Sequence, residues 1–62
     1  MFKIIDNVAG ELIELLSKEK AIREANKRVR YHNSEFNYRH MQKHYSANCS
    51  YFWQDDSTII IK

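Results

Sequence analysis

Apolar side chains recur along residues 7–31 at the spacing of one face of an α-helix. The recurring positions are Val8, Leu12, Leu15, Ile22 and Val29. Intervals of three, four and seven residues match the helical repeat. The pattern therefore predicts a long N-terminal helix that covers most of residues 8–30, with Asp6 or Asn7 as the residue that caps its start. Gly10 weakens its first turn, since glycine costs up to about 1 kcal/mol relative to alanine in a helix interior.

Charged residues indicate the same helix, because three acid–base pairs stand four positions apart with the acid first. The pairs are Glu14 with Lys18, Glu19 with Arg23, and Glu24 with Arg28. Each such pair stabilises a helix by about 0.2–0.5 kcal/mol. The spacing of charges and the spacing of apolar residues thus agree.

The C-terminal segment has the composition of a β-hairpin. Two β-rich runs, 51–53 and 58–61, flank Asp55 and Asp56, and aspartate favours turns because its side chain bonds to nearby backbone groups. The predicted fold class is α+β, with one long N-terminal helix packed on a small C-terminal antiparallel β-hairpin or sheet. Residues 1–5 either add an edge strand to that sheet or lead into the helix.

Residues 34–45 fit two secondary structures. As a strand, Phe36, Tyr38 and His40 alternate with polar residues. As a helix, the segment presents a stripe of Tyr38, Met41 and Tyr45, and residues 41–45 show no strand-like alternation. The pattern slightly favours a short second helix at 34–45 and leaves the strand open as the alternative.

The predicted core consists of apolar residues from the helix and the hairpin. Its expected members are Val8, Leu12, Leu15, Ile22, Val29, Trp53 and Ile60. In the C-terminal isoleucine triplet, strand alternation buries either Ile60 on one face or Ile59 and Ile61 on the other. A fully packed Leu12 or Leu15 would cost about 2–5 kcal/mol of stability when replaced by alanine.

The chain length of 62 residues fits a single small domain, 1–62, with a thin core, because a domain of this size buries only about 60% of its unfolded surface. Cys49 is the only cysteine, so no internal disulfide can form, and a cytoplasmic location is expected. No apolar run approaches the roughly 18 residues of a membrane span, and no signal peptide is visible. We therefore expect no membrane partner.

Basic residues are concentrated in the middle of the chain, where residues 17–45 hold eight bases and three acids. On a helix, four of the bases share a face about 80° wide. These four, which we call the basic stripe, are Lys20, Arg23, Lys27 and Arg30. Tyr31, Arg39 and Lys43 extend the same candidate partner-binding surface. An acidic protein surface or a phosphate backbone would bind such a stripe, although an ordinary solvated helix face has the same pattern.

Histidine and cysteine together give a weak metal signal. His40 and His44 stand four residues apart, Cys49 follows them, and His32 is a conceivable fourth ligand. Zinc binds imidazole and thiolate, but this spacing matches no closed zinc signature. We predict no metal and no cofactor, with His40, His44 and Cys49 as the weak candidates for a metal site.

Enzymatic activity is not expected from this sequence. Cys49 with a histidine is the only pairing of a nucleophile and a base, and its neighbours supply neither a positive environment nor an oxyanion turn. A chain this small can scarcely enclose a substrate pocket as well as a core. The prediction is a protein with a binding function and no catalytic residues.

Two classes of binding function fit the basic stripe. The preferred one is a small modulator, inhibitor or adaptor that binds a protein with an acidic surface. The alternative is direct binding of RNA or single-stranded nucleic acid, with Tyr31 or Phe36 stacked on bases. The isoelectric point of 8.8 lies below the value of about 9 that is typical of nucleic-acid domains, which favours the protein partner. A homo-oligomer is compatible with either class.

Overall fold

A computed structural model describes residues 1–34 and 49–62 of the chain. These described residues form four strands and one helix. In chain order the elements are β1 (Phe2–Asp6), β2 (Glu11–Leu15), α1 (Lys18–His32), β3 (Tyr51–Asp55) and β4 (Thr58–Ile61). The helix therefore stands between two β-hairpins in the chain.

The four strands form one mixed sheet in the order β2-β1-β4-β3. β1 and β4 are parallel at its centre, and each pairs antiparallel with its own hairpin partner on the outer side. The predicted α+β class is confirmed. The predicted long N-terminal helix packed on a C-terminal hairpin is wrong, because two strands precede the helix. Residues 1–5, expected at a sheet edge or in a helical lead-in, supply most of the central strand β1.

The first hairpin occupies the first half of the predicted helix, and the residues of its turn explain why. The Asp6 carboxylate Oδ1 accepts hydrogen bonds from the backbone N–H groups of Val8 and Ala9, each at 3.0 Å. The Gly10 N–H donates to the Asp6 carbonyl at 2.8 Å. Gly10 has a φ of +71°, a conformation that glycine adopts without steric cost. Gly10, which was the weak position of the predicted helix, thus closes the turn between β1 and β2.

Ser17 caps α1, where the sequence predicted Asp6 or Asn7 as the cap. The Ser17 hydroxyl accepts a hydrogen bond at 3.2 Å from a backbone N–H of the first helical turn, which satisfies a donor that has no partner within the helix. Ala21 and Ala25 are fully buried. Their small side chains let the helix backbone approach the sheet closely.

The core lies between α1 and one face of the sheet. Its fully buried members are Ile4, Ala21, Ala25, Ile59 and Ile61, and the side chain of Cys49 joins them at 4% exposure. Among the described elements, only α1 covers the sheet, and alternation along each strand places every second side chain on the opposite face. We call that opposite face the open face.

None of the seven residues predicted for the core is among the fully buried residues. Leu12 lies on the open face and is 65% exposed. The other six predicted residues are only half-buried: Val8, Leu15, Ile22, Val29, Trp53 and Ile60. In the isoleucine triplet, Ile59 and Ile61 point toward α1, so Ile60 belongs to the open face.

The C-terminal hairpin is confirmed. β3 and β4 are antiparallel and are joined by a turn at Asp56 and Ser57. The Asp55 carboxylate accepts hydrogen bonds from the Ser57 N–H at 2.8 Å and from the Ser57 hydroxyl at 3.1 Å, as expected for an aspartate in a turn. The strand register shifts between Trp53 and Asp55, which makes a bulge on the β3 edge.

Asn33 joins the two described segments of the chain. Its side-chain amide donates to the Cys49 carbonyl at 2.8 Å, and its side-chain oxygen accepts from the Cys49 N–H at 2.7 Å. The choice between helix and strand was predicted for 34–45, and residues 35–45 of that segment lie outside the described residues. Within 1–34 and 49–62, no helix is both long enough and apolar enough to cross a membrane.

Two alanine substitutions test the assignment of the two sheet faces. Because Ile59 is fully buried, Ile59→Ala should lower the free energy of unfolding by about 2–5 kcal/mol. Leu12→Ala, on the open face, should change it by no more than about 0.5 kcal/mol. Urea denaturation of both variants, followed by circular dichroism, measures the difference. Equal losses would contradict the placement of Leu12.

Candidate functional site

The centre of the candidate site is the carboxylate of Asp6, at the end of β1. Asp6 is 1% exposed. Its Oδ2 accepts hydrogen bonds from the Arg28 guanidinium at 2.7 Å and from His32 Nε2 at 2.8 Å. An ionised carboxylate only accepts, so Nε2 of His32 carries the hydrogen. The buried charge is thereby paired and hydrogen-bonded on both oxygens, as a buried charge requires.

Arg28 is held by three carboxylates. Besides Asp6, its guanidinium contacts Glu11 of β2 at 2.8 Å and Glu24 of α1 at 2.9 Å. Burial lowers the pKa of the guanidinium, but the three carboxylates outweigh burial and raise it above its ordinary value. Arg28 therefore stays charged and joins both strands of the first hairpin to the helix.

The pKa of Asp6 lies below its ordinary value of 3.8. Burial by itself would raise this pKa, because it disfavours the charged form. Hydrogen bonds from His32, from the Ala9 N–H and from Arg28 stabilise the ionised form by more. The carboxylate is consequently ionised throughout the neutral range.

A groove runs between α1 and the edge strand β2 beside these ion pairs. One end, about 300 Å³ in volume, is lined by Glu11, Glu24, Lys27 and Tyr31, with Arg28 and His32. The other end, about 320 Å³, is lined by Leu15, Lys20 and Arg23, and both ends share Glu24 and Lys27. We call the whole depression the α1/β2 groove. Its helical wall carries three of the four basic-stripe cations.

The basic stripe lies on the solvent side of α1, and all four of its side chains are exposed. No ion pair joins Lys20, Arg23, Lys27 or Arg30 to a carboxylate within the described residues. Ala21 and Ala25 mark the opposite, buried side of the helix. The structure therefore brings these four predicted residues together on one accessible surface.

Of the other three predicted partner-binding residues, Tyr31 alone lies in the described part of the chain. Tyr31 is 61% exposed and lines the α1/β2 groove. Arg39 and Lys43 lie outside the described residues. Of the three predicted acid–base pairs, Glu24 with Arg28 forms.

The remaining two predicted pairs are not ion pairs in the described part of the chain. Glu14 lies in β2, so it has no helical relation to Lys18. The ammonium of Lys18 stands 5.6 Å from the centre of the Trp53 ring instead. Glu19 and Arg23 are both exposed on α1.

The weak metal candidates are not brought together by the described structure. His40 and His44 lie outside it, while His32 donates to Asp6. Residues 1–34 and 49–62 contain no cluster of three or more histidine, cysteine, aspartate or glutamate residues arranged to hold a metal ion. Burial, and secondarily the charge of Asp6, raises the pKa of the Cys49 thiol. A thiol in that state is a weak nucleophile and a weak ligand.

Asp6 is the residue of this site that sequence reasoning missed. The sequence pattern predicts Asp6 only as a helix cap, although aspartate is depleted in strand interiors. An aspartate that ends an apolar run and precedes a glycine-containing turn was the available signal. Its partner His32 lies 26 positions away in the chain, and no local pattern joins the two.

Comparisons with known proteins identify no relative for this fold and site. The chain matches no protein-family model, and it shows no significant similarity to a curated protein sequence or to a solved structure.

Asp6→Asn tests the buried ion pairs. Breaking a buried pair costs about 3–5 kcal/mol, and we expect a loss of about 3 kcal/mol because Glu11 and Glu24 still hold Arg28. The folded pKa of Asp6 is below its unfolded value, so its contribution is present above about pH 3.8 and is lost as the pH falls through the folded pKa.

The measurement is the free energy of unfolding in urea between neutral pH and acid. Wild type should lose stability on acidification below about pH 3.8, because the Asp6 carboxylate becomes protonated. Asp6→Asn has no carboxylate at this position and should lack the loss that protonation of Asp6 causes. Asp55→Asn is the matched control, because Asp55 also has a lowered pKa but lies on the surface. Identical pH profiles for wild type and Asp6→Asn would contradict the role of Asp6.

The reactivity of Cys49 checks the burial of the thiol. Since Cys49 is 4% exposed and its pKa is raised, a disulfide reagent such as dithionitrobenzoate should modify it much more slowly in the native protein than in urea. Absorbance of the released thiolate measures both rates. Equal rates would show that the thiol is accessible in the native state.

Proposed function

We propose that this chain is a small non-enzymatic binding protein, a modulator, inhibitor or adaptor, that engages an acidic protein partner through the basic stripe of α1. The observation that carries the proposal is the contrast between Arg28 and the stripe. Arg28 is held by three carboxylates. The four stripe cations are exposed without an ion-pair partner among the described residues, so they are available to an external anion.

The mixture of groups beside the stripe favours a protein over a nucleic acid as partner. Glu24 and Glu11 line one end of the α1/β2 groove, and a phosphate backbone, which carries a charge at every nucleotide, would have to pass these carboxylates. A protein segment can instead place single carboxylates beside Lys20 and Lys27 alone. Leu15 adds an apolar surface at the other end. Protein interfaces combine such apolar contacts with charge complementarity.

The experiment is a double charge reversal in the stripe, Lys27→Glu with Arg30→Glu. The wild-type chain is used to purify its partner from the source cells, with both protein and nucleic acid identified, and the variant is then titrated with that partner. We expect binding to be lost. Stability should change by no more than about 1 kcal/mol, because both residues are exposed.

The matched control is Lys3→Glu with Lys62→Glu, two exposed residues outside α1. Each double variant lowers the formal net charge from +2 to −2, so a general charge effect would appear in both. Loss of binding in the stripe variant alone supports the proposal. Undiminished binding by a folded stripe variant would remove the stripe from the function.

Salt and competition separate the two classes of partner. A nucleic-acid complex would weaken log-linearly with salt, with a slope near −0.7 to −0.9 for each phosphate contacted, and a pure oligonucleotide would compete. We expect instead that an oligonucleotide fails to displace the partner. Displacement by RNA or single-stranded DNA at equal concentration would replace the protein partner with a nucleic acid.

A further inference from the structure

We propose that the outer edge of β2 accepts an extended segment of the partner as an antiparallel fifth strand, with acidic side chains of that segment in the α1/β2 groove. This inference rests on the proposed function, because the lysines that would receive the carboxylates belong to the basic stripe. It adds the conformation of the bound segment and the sequence pattern that the site selects.

The direction of the backbone groups in β1 follows from its pairing with β4. The Lys3 N–H donates to the Ser57 carbonyl at 2.8 Å, and the Asn7 N–H donates to the Ile61 carbonyl at 3.0 Å. Backbone groups of successive strand residues point to opposite sides. The odd-numbered residues of β1 therefore point toward β4, and the even-numbered ones, such as Ile4, point toward β2.

The same alternation determines which groups of β2 face solvent. Ile4 is in register with Ile13, so Ile13 directs its N–H and C=O toward β1. Leu12 and Glu14 consequently direct theirs outward. No backbone hydrogen bond to these outward groups occurs within the described part of the chain. The edge of β2 thus presents two residues with unsatisfied donors and acceptors, which is the requirement for strand addition.

The other edge of the sheet is less suited to this role. Ser50 and Lys62 exchange hydrogen bonds at 2.9 and 3.0 Å, so Tyr51 and Trp53 direct their backbone groups outward. The bulge between Trp53 and Asp55 interrupts that edge, and bulges are a common protection against unwanted pairing. β2 pairs with β1 over five residues without a register shift, and it contains neither proline nor lysine.

Charge complementarity identifies the added strand as acidic on one side. Its residues opposite Ile13 and Leu15 would point to the helical side of the sheet, where Lys20 and Lys27 line the α1/β2 groove. Neither lysine has a carboxylate partner among the described residues. Carboxylates at these alternate positions of the added strand would form ion pairs with Lys20 and Lys27.

The intervening residues of the added strand would lie on the open face. There Leu12 is the outer member of an apolar row that continues through Ile5 and Ile60 to Phe52, each in register with the next. An apolar residue opposite Leu12 would extend this row by one strand. The site therefore selects an alternation of acidic and apolar residues with a period of two.

A second copy of the chain fits the edge less well. If its own β2 were the added strand, it would bring Ile13 and Leu15 to the side where Lys20 and Lys27 need carboxylates. We therefore assign the segment to a different protein.

The test uses a fluorescent synthetic peptide in which glutamate and valine alternate, titrated with the full chain and followed by anisotropy. In an antiparallel complex, the valine backbone groups bond to β2 and the glutamate backbone groups face solvent. N-methylation of the valine amides should weaken binding by about tenfold or more. N-methylation of the glutamate amides should leave binding nearly unchanged.

A peptide of the same composition in shuffled order controls for charge alone. Preferential binding of the alternating peptide, lost only on valine methylation, supports strand addition. Equal binding of both peptides, or equal effects of the two methylation patterns, would overturn it.

Glu14→Pro tests the edge from the protein side. Proline removes the outward N–H of Glu14 without removing a hydrogen bond to β1, a position where edge strands tolerate proline. Glu14→Ala removes the side chain and keeps the N–H. We expect Glu14→Pro to reduce peptide binding by about tenfold and Glu14→Ala to preserve it, with folding of both verified by thermal melting. Equal binding by the two folded variants would overturn the proposal.

The outcomes also distinguish this inference from the proposed function. If the stripe reversal abolishes binding of the native partner while Glu14→Pro does not affect it, the basic stripe is a binding surface and strand addition is wrong. If neither variant affects the partner, both proposals fail. A chain that sediments as a dimer, and as a monomer after Glu14→Pro, would show that a second copy occupies the edge and would overturn the acidic segment.

Discussion

The position of the helix on the sheet depends on one buried carboxylate. Asp6 contacts the turn of the first hairpin through one oxygen and the last turns of α1 through the other. A buried charge is stable only when it is paired, so Arg28 and His32 must lie over the end of β1. Ala21 and Ala25 make the apolar contact near the start of the helix. The helix is thus fixed by close packing at one end and by ion pairs at the other.

The same ion pairs determine which charges reach solvent. Glu11, Glu24 and Asp6 all converge on Arg28, so one cation of α1 is enclosed by carboxylates. The cations of the basic stripe lie on the exposed side of the helix and are not compensated in this way by the described residues. A chain with a formal net charge of only +2 consequently presents a distinctly basic helix surface.

The elements that local patterns could predict are those with a single periodicity. The C-terminal hairpin and the second half of the predicted helix, which lies within α1, have turn or apolar residues that fit one structure only. The first hairpin was missed because Leu12 and Leu15 have helical spacing and also fit a strand that is apolar on both faces. Gly10 carried the correct signal, but its turn was recognisable only together with Asp6.

In the candidate site, likewise, residues related by a single periodicity could be predicted, and contacts between distant residues could not. The four stripe residues follow from spacing along one helix, so they could be predicted. The pairing of Asp6 with His32 depends on how β1 and α1 pack, and the burial of Ile59 rather than Ile60 depends on which sheet face the helix covers. Such choices are made by tertiary contacts between residues far apart in the chain, which sequence periodicity does not record.

The parallel pairing of β1 with β4 has a consequence for the order in which the protein is made. β4 is the last of the five elements in the described residues to leave the ribosome, yet it occupies the centre of the sheet. Until it emerges, β1 lacks one of its two neighbours, and most of the buried isoleucine surface has no partner. The sheet therefore cannot be completed strand by strand during synthesis. Its central contacts span nearly the whole chain, a topology that slows folding relative to one built from local contacts.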